Sequence, residues 1–299
     1  MLAATTACSL RKMALNSVGN AVASSGTTYS SDDDPDLVFD AAPFGLKTIE
    51  GLLEQLPRHK PLLYAATSGF VQYSFGRLQQ EADFAEERDL SRATALRDRA
   101  RRAYKRALEY GLRGLEVDFP GLRPRLRADP AAALARTSKR HVPVLYWTGL
   151  AWGGAISLSK DDSELTADQY VVEAIMKRAL ELDEGYEHGA VHDFFISYDG
   201  GRPASAGGSA QRARQHLERA VALANGRRAW PLVTFAEVVA VSLQDRKEFE
   251  RLLHQALEID TAAAPEMRVA NLLAQRRARW LLSRADELIL EAPSSEERP

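Results

Sequence analysis

Arg106-Ala107-Leu108-Glu109, Arg178-Ala179-Leu180-Glu181, Arg219-Ala220-Val221-Ala222 and Gln255-Ala256-Leu257-Glu258 are four versions of nearly one phrase. Their alanines are separated by 72, 41 and 36 residues, and the first interval is twice the last, which leaves room for one degenerate copy. Self-similarity at this period marks stacked helix pairs. Each phrase also extends backwards in the same way. Ala100-Tyr104-Ala107 and Ala213-Leu217-Ala220 have the form of the second helix of a tetratricopeptide repeat, and Val172-Met176-Ala179 and Phe249-Leu253-Ala256 keep the spacing with a larger first residue. Such positions share one helix face, and a small residue there lets the neighbouring helix approach closely. The competing reading is a set of ordinary amphipathic helices in a bundle. The expected architecture is all-α: a superhelical array of tetratricopeptide-like hairpins with capping helices.

Composition agrees. The 299 residues are 45% hydrophobic, enough for a substantial core. The net charge of −2 carries no basic bias toward nucleic acid. Of 39 basic residues only eight are Lys, and the Arg excess sits among Ala, Leu and Glu, as on the solvated faces of helices. No apolar stretch is long enough to span a bilayer. The lone cysteine, Cys8, excludes an intramolecular disulfide and argues against a cysteine metal site. The small residues before it resemble the end of a bacterial lipoprotein signal, which would make Cys8 a lipidation site. Thr5 stands where Leu is usual, however, and too few residues precede Cys8 for a charged region and an apolar core. An incidental cysteine is the alternative.

Along the chain, residues 1–9 read as a possible remnant of that signal, 10–291 as one α-solenoid domain and 292–299 as a disordered tail. Asp32-Asp33-Asp34-Pro35 reads as an N-cap before a helix reaching Leu56 with a kink at Pro43, because a calcium loop would need a Gly and a distal Glu. Helices are expected over 61–86, 89–117, 142–159, 165–182, 184–198, 209–224, 231–243 and 245–259, with a closing helix from Pro265 to about Glu291. Asp129-Pro130-Ala131 starts a short helix in a proline-rich connection. The stretch from Asp199 to Ser209, with its two Gly pairs, reads as a flexible loop and a candidate lid. It lacks the strand and the Gly-Lys-Ser/Thr of a phosphate loop.

Little here suggests catalysis, and no enzyme is expected. His188 and His192, four apart, could face one metal ion on a continuous helix, but Gly189 lies between them and no third ligand can be assigned. A hydrogen-bonded core His192 is the simpler reading, and neither metal nor cofactor is expected. Aromatic residues load the first helices of the pairs: Phe70, Tyr73 and Phe75, then Tyr146, Trp147 and Trp152, then Phe194, Phe195 and Tyr198. With Gly69, Gly149, Gly153 and Gly154 opening space, they would line an apolar groove or cavity. Aromatic stripes at helical spacing also occur as plain core, and that reading stays open.

Several ordered segments carry a resemblance. They are Asp32-Asp33-Asp34-Pro35, Leu46-Lys47-Thr48-Ile49-Glu50 and Ala66-x-x-Gly69-Phe70-x-Gln72-Tyr73, followed by Tyr146-Trp147 and Trp152-Gly153. His192-x-Phe194-Phe195-Ile196 and Asn271-x-x-Ala274-Gln275-Arg276-Arg277-Ala278 complete the set. Together, over about residues 8–291, they resemble the TatT family, the tetratricopeptide-repeat T component associated with TRAP transporters. That resemblance implies a periplasmic, lipid-anchored homotrimer that works with the extracytoplasmic solute-binding protein. Each protomer would hold a small organic ligand, apolar or carboxylate-bearing, in a cavity lined by Phe70, Tyr73, Tyr146, Trp147, Trp152, Phe194 and Phe195, with Asn271 and Arg277 orienting a carboxylate. The alternative function is a repeat scaffold lipoprotein for cell-envelope assembly, with no small-molecule ligand.

Overall fold

The computed structural model describes residues 3–24 and 26–290, without the side chains of residues 3–12 and 27. The Cys8 thiol and the tail at 292–299 therefore lie outside the described residues. Every regular element among those described is helical. No described helix is long and apolar enough to cross a membrane.

Internal contacts gather the chain into two compact units, Met1–Glu184 and Gly185–Pro299. The first contains α1 (Ala3–Ala23), α2 (Gly26–Ser30), α3 (Pro35–Gln55), α4 (Lys60–Tyr73), α5 (Gln80–Ala85) and α6 (Leu90–Asp118). It continues with α7 (Leu122–Ala128), α8 (Pro130–Leu134), α9 (Val142–Ser157), α10 (Ser163–Ala167) and α11 (Gln169–Leu182). The centre is α4, α6 and α9, each touching the other two, with α3 against α4 and α11 against α9. The second unit contains α12 (Ala190–Gly200), α13 (Ala210–Leu223), α14 (Trp230–Phe235), α15 (Arg246–Leu257), α16 (Arg268–Leu282) and α17 (Ala285–Leu288). There α12 pairs with α13, and α14 packs on α12, α13, α15 and α16. Its core joins Ile196, Leu217, Val233, Phe235, Phe249, Leu253 and Leu281.

The helix starts follow from side-chain caps that satisfy otherwise unpaired backbone N–H groups. Asp34 accepts from the amides of Asp36 and Leu37 with Pro35 next in line, and Asp129 accepts from Ala132 ahead of Pro130. Asp89, Ser209 and Asp245 cap α6, α13 and α15 in the same way. The phrase positions are where the helices meet. Ala100, Ala107, Ala179, Ala213, Ala220 and Ala256 are all 0% exposed, and Tyr104, Val172, Met176, Leu217, Phe249 and Leu253 are buried beside them.

Several expectations need correction. The closing helix stops at Leu282, and α17 follows as a separate turn, since Arg284 sits between them with non-helical backbone. The helix expected over 61–86 is interrupted by a π-helical stretch at Ser74–Gln79, and the one expected over 231–243 by a second at Ala236–Ala240. The loop after Asp199 is fastened at its two ends. Ser209 N–H donates to the Asp199 carbonyl at 2.8 Å, and Arg212 clamps the Asp199 carboxylate through Nε at 3.2 Å and a second nitrogen at 2.9 Å. Gly208 is obligatory there, because an added Cβ would lie 1.8 Å from the Arg202 carbonyl oxygen. Last, Gly69, Gly149 and Gly154 on the aromatic helices do not open space. A Cβ at Gly69 would meet Leu46 at 2.8 Å, one at Gly149 the Met176 sulfur at 2.4 Å, and one at Gly154 the Tyr104 ring at 2.5 Å. They are close-approach positions, already filled by a neighbour.

Candidate functional site

In the first unit the expected aromatic residues divide between two places. On α4 the Phe70 ring stacks on Tyr110 of α6, centroids 6.1 Å apart, with the Arg106 guanidinium 5.4 Å above it. Tyr73 accepts from Arg99 at 3.4 Å through its hydroxyl. Tyr110, but not Phe70, lines an open cleft of about 450 Å³ between α3 and α6, with Lys47, Glu50, Glu54, Arg106 and Arg113 among its other walls. Glu50 is its hub. It accepts from the Tyr110 hydroxyl at 2.9 Å and from Lys47 at 2.7 Å, with Arg106 at 3.4 Å. Burial would raise the Glu50 carboxyl, but those hydrogen bonds and the Arg106 charge outweigh it and hold it below its ordinary range. Burial and the bond to Glu50 push Tyr110 up to about 12. The cleft therefore keeps a fixed carboxylate among three cations.

The second place is α9. Tyr146 and Trp147 meet edge to face at 5.1 Å. Trp147 is half-buried and Trp152 is 4% exposed. Both bury an indole N–H that has no acceptor among the described residues. Five residues apart, they leave the helix about 140° apart, so they border different sides of α9. Gln80, the first residue of α5, is 4% exposed, and neither polar atom of its amide has a partner among the described residues. Tyr104 of α6 reaches both α9 and the residue before α5. Its ring fills the space over Gly154, two residues beyond Trp152, while its hydroxyl donates at 2.5 Å to Gln79, beside Gln80. Buried polar groups are nearly always satisfied, so the open indole N–H groups and the Gln80 amide are places where a water or a bound molecule would pair.

In the second unit Phe194, Phe195 and Tyr198 form one aromatic cluster along α12. Phe194 stacks on Tyr198 at 5.2 Å and meets Phe195 edge to face at 5.1 Å. Arg202 caps the Tyr198 ring at 3.6 Å. The two polar residues expected to orient a carboxylate are engaged elsewhere. The Asn271 side-chain oxygen accepts from Ala229 N–H at 2.9 Å, and its amide nitrogen donates to the Arg227 carbonyl at 2.8 Å. Arg277 is ion-paired with Glu237 and lies 4.3 Å over Trp280. Gln275, in the same segment, donates to the carbonyls of Ala256, Leu257 and Ile259. His188 and His192 do not share a helix. Gly189, at φ 87°, separates them, and His192 pairs instead with His216 of α13.

A family model for the TRAP transporter T-component matches residues 31–289. The chain belongs to this family. A protein of Treponema pallidum (strain Nichols), described only as uncharacterized, is 27% identical over 302 residues, covering 95% of this chain and 94% of that protein. Within the T-component, the segments that carried the resemblance turn out to do different jobs. Lys47 and Glu50 build the cleft, Trp152 leaves an open hydrogen-bond donor, and Asn271, Gln275 and Arg277 brace one helix against its neighbours. Sequence reasoning passed over Gln80 and Tyr110. A Gln after a long amphipathic run carries no mark of burial, and Tyr110 becomes informative only once Glu50, far away in sequence, is placed beside it.

Proposed function

We propose that this T-component is a non-catalytic, solute-handling adaptor of a TRAP transporter. It works in the periplasm beside the extracytoplasmic solute-binding protein, is anchored through lipid on Cys8 and assembles as a homotrimer of tetratricopeptide-like arrays. It holds a small organic ligand, apolar or carboxylate-bearing, in the first unit beside Trp152, with no metal or cofactor. What supports the ligand is that two polar side chains of the first unit stand open, the Trp152 indole N–H and the Gln80 amide, both deeply buried and without partners among the described residues. An apolar body against the indole, with an oxygen accepting from its N–H, matches how small-molecule sites combine apolar walls with a few placed polar groups.

Native mass spectrometry of the full chain tests this, with thermal unfolding run on the same samples. Trp152→Phe keeps an aromatic wall and removes only the N–H, and Gln80→Leu removes the amide. Both are expected to lower occupancy by a co-purified small molecule while leaving the melting temperature near that of the parent. No bound molecule in the parent protein, together with a gain in stability for Gln80→Leu, would instead describe a scaffold with a strained core. A pull-down with the solute-binding protein encoded beside the transporter's membrane genes tests the partnership.

A further inference from the structure

Two imidazoles meet across the α12–α13 hairpin of the second unit. His192 is 4% exposed, and its Nδ1 lies 2.7 Å from Nδ1 of His216. The His216 ring stacks on Phe195 at 5.0 Å and 19°, and its Nε2 is 3.8 Å from the Asp199 carboxylate. Two Nδ1 atoms at that separation share one proton, so one ring donates and the other accepts with its lone pair. The contact forms when both rings are neutral, and also when one of them is an imidazolium. It cannot form with both charged, since two N–H donors then face each other with no acceptor between them.

The charged groups around the pair set how it responds to acid. The elements that carry the pair or pack against it bring Asp193 and Asp199 on α12, Arg212, Arg214, Glu218 and Arg219 on α13, Arg228 ahead of α14, Glu237 in the π-helical stretch after α14, and Glu187 with His188 in the turn before α12; of these, Asp199 and Arg212 act on His216. Asp193 is ion-paired with Arg228, and Glu237 with Arg277. Asp199 is the carboxylate that reaches His216, and Arg212 already holds it through two nitrogens. Burial lowers the His216 imidazole most, Asp199 works against that and Arg212 with it, leaving it below its ordinary value.

We propose that the His192–His216 pair is an acid-sensitive latch, holding the α12–α13 hairpin closed at neutral pH and releasing it when both imidazoles become protonated. The sign follows from linkage. A histidine with a depressed folded-state value contributes stability that is present above about pH 6.5, its unfolded value, and is lost as pH falls through the folded one. The loop between the two helices goes with the hairpin, because its far end is fastened through Ser209 N–H to the Asp199 carbonyl.

Backbone hydrogen exchange and nitrogen-15 histidine NMR on the full chain, between about pH 7.5 and about pH 4.5, test the latch. After correction for intrinsic rates, the opening constant of residues 190–223 should rise about tenfold per pH unit for each proton taken up on opening, with α4, α6 and α9 unchanged. His216→Asn puts an amide where Nδ1 stood and removes one titrating ring, so the acid-induced opening should vanish or move by more than a pH unit. Equal acid responses in the parent and in His216→Asn would overturn the proposal. Should that variant fail to fold, the parent's NMR decides alone: two charged rings in a hairpin that stays protected would end the argument, and a second protonation coincident with opening would sustain it.

Discussion

At Asn271 one side chain pairs two backbone groups, the Ala229 N–H and the Arg227 carbonyl, in a site 2% exposed. Asn271→Ala is therefore expected to cost about 1–3 kcal/mol for each group left buried and unpaired, measured by urea unfolding, with occupancy of the first unit untouched. A change in ligand binding at constant stability would return Asn271 to the role of carboxylate anchor. The glycines make a sharper comparison. Gly51 sits inside α3 with nothing within 4 Å of an added Cβ, so Gly51→Ala should stabilise by about 0.5–1 kcal/mol. Gly154→Ala drives a methyl into the Tyr104 ring and should destabilise by about 1–3 kcal/mol. In sequence the two positions look alike. A helical glycine reads equally as a void, a surface position or a point of close approach, and only the neighbour's identity separates them.

Between elements, the repeated phrase predicts contact energetics. Ala107→Leu on α6 and Ala220→Leu on α13 should each overpack a 0%-exposed seam and cost about 1–3 kcal/mol by thermal unfolding. Gln215→Leu, on the solvent side of α13, is the control and should stay within about 0.5 kcal/mol. Arg214, equally exposed in the sequence pattern, is a poor control because it pairs with Glu248 at 2.9 Å and covers the Phe235 ring at 4.6 Å. Helix starts and buried seams were legible because they depend on local signals: a cap three residues ahead of an amide, or an alanine repeating at helical spacing. The cleft was not. Glu50, Arg106 and Tyr110 meet only because α3 and α6 present particular faces to each other, and nothing near any of the three records that rotation. Much the same holds for Asn271 and Arg277. Their polarity was plain in the sequence, but whether a backbone carbonyl, a Glu or a ligand would receive them was not.

For the whole molecule, the lipid anchor is the expectation with the simplest test. Expressed behind a bacterial lipoprotein leader, the chain should sediment with membranes, and Cys8→Ser should return it to the soluble fraction. A chain that stays soluble with Cys8 intact would count against the anchor. One acyl chain binds only weakly, so the expectation rests on the several chains such lipoproteins carry. The two π-helical stretches, Ser74–Gln79 and Ala236–Ala240, have a different kind of consequence. A π turn is what remains when one residue has been inserted into an α-helix and absorbed locally, leaving the faces on either side in phase. Elsewhere in a helix the same insertion rotates everything downstream by about 100°. Each unit thus contains one place where chain length can change by a single residue in mid-helix without disturbing the packing. In an alignment of relatives, one-residue gaps inside helices should fall at these two points, so fixed-spacing searches for the repeat lose count there while the helix itself runs on.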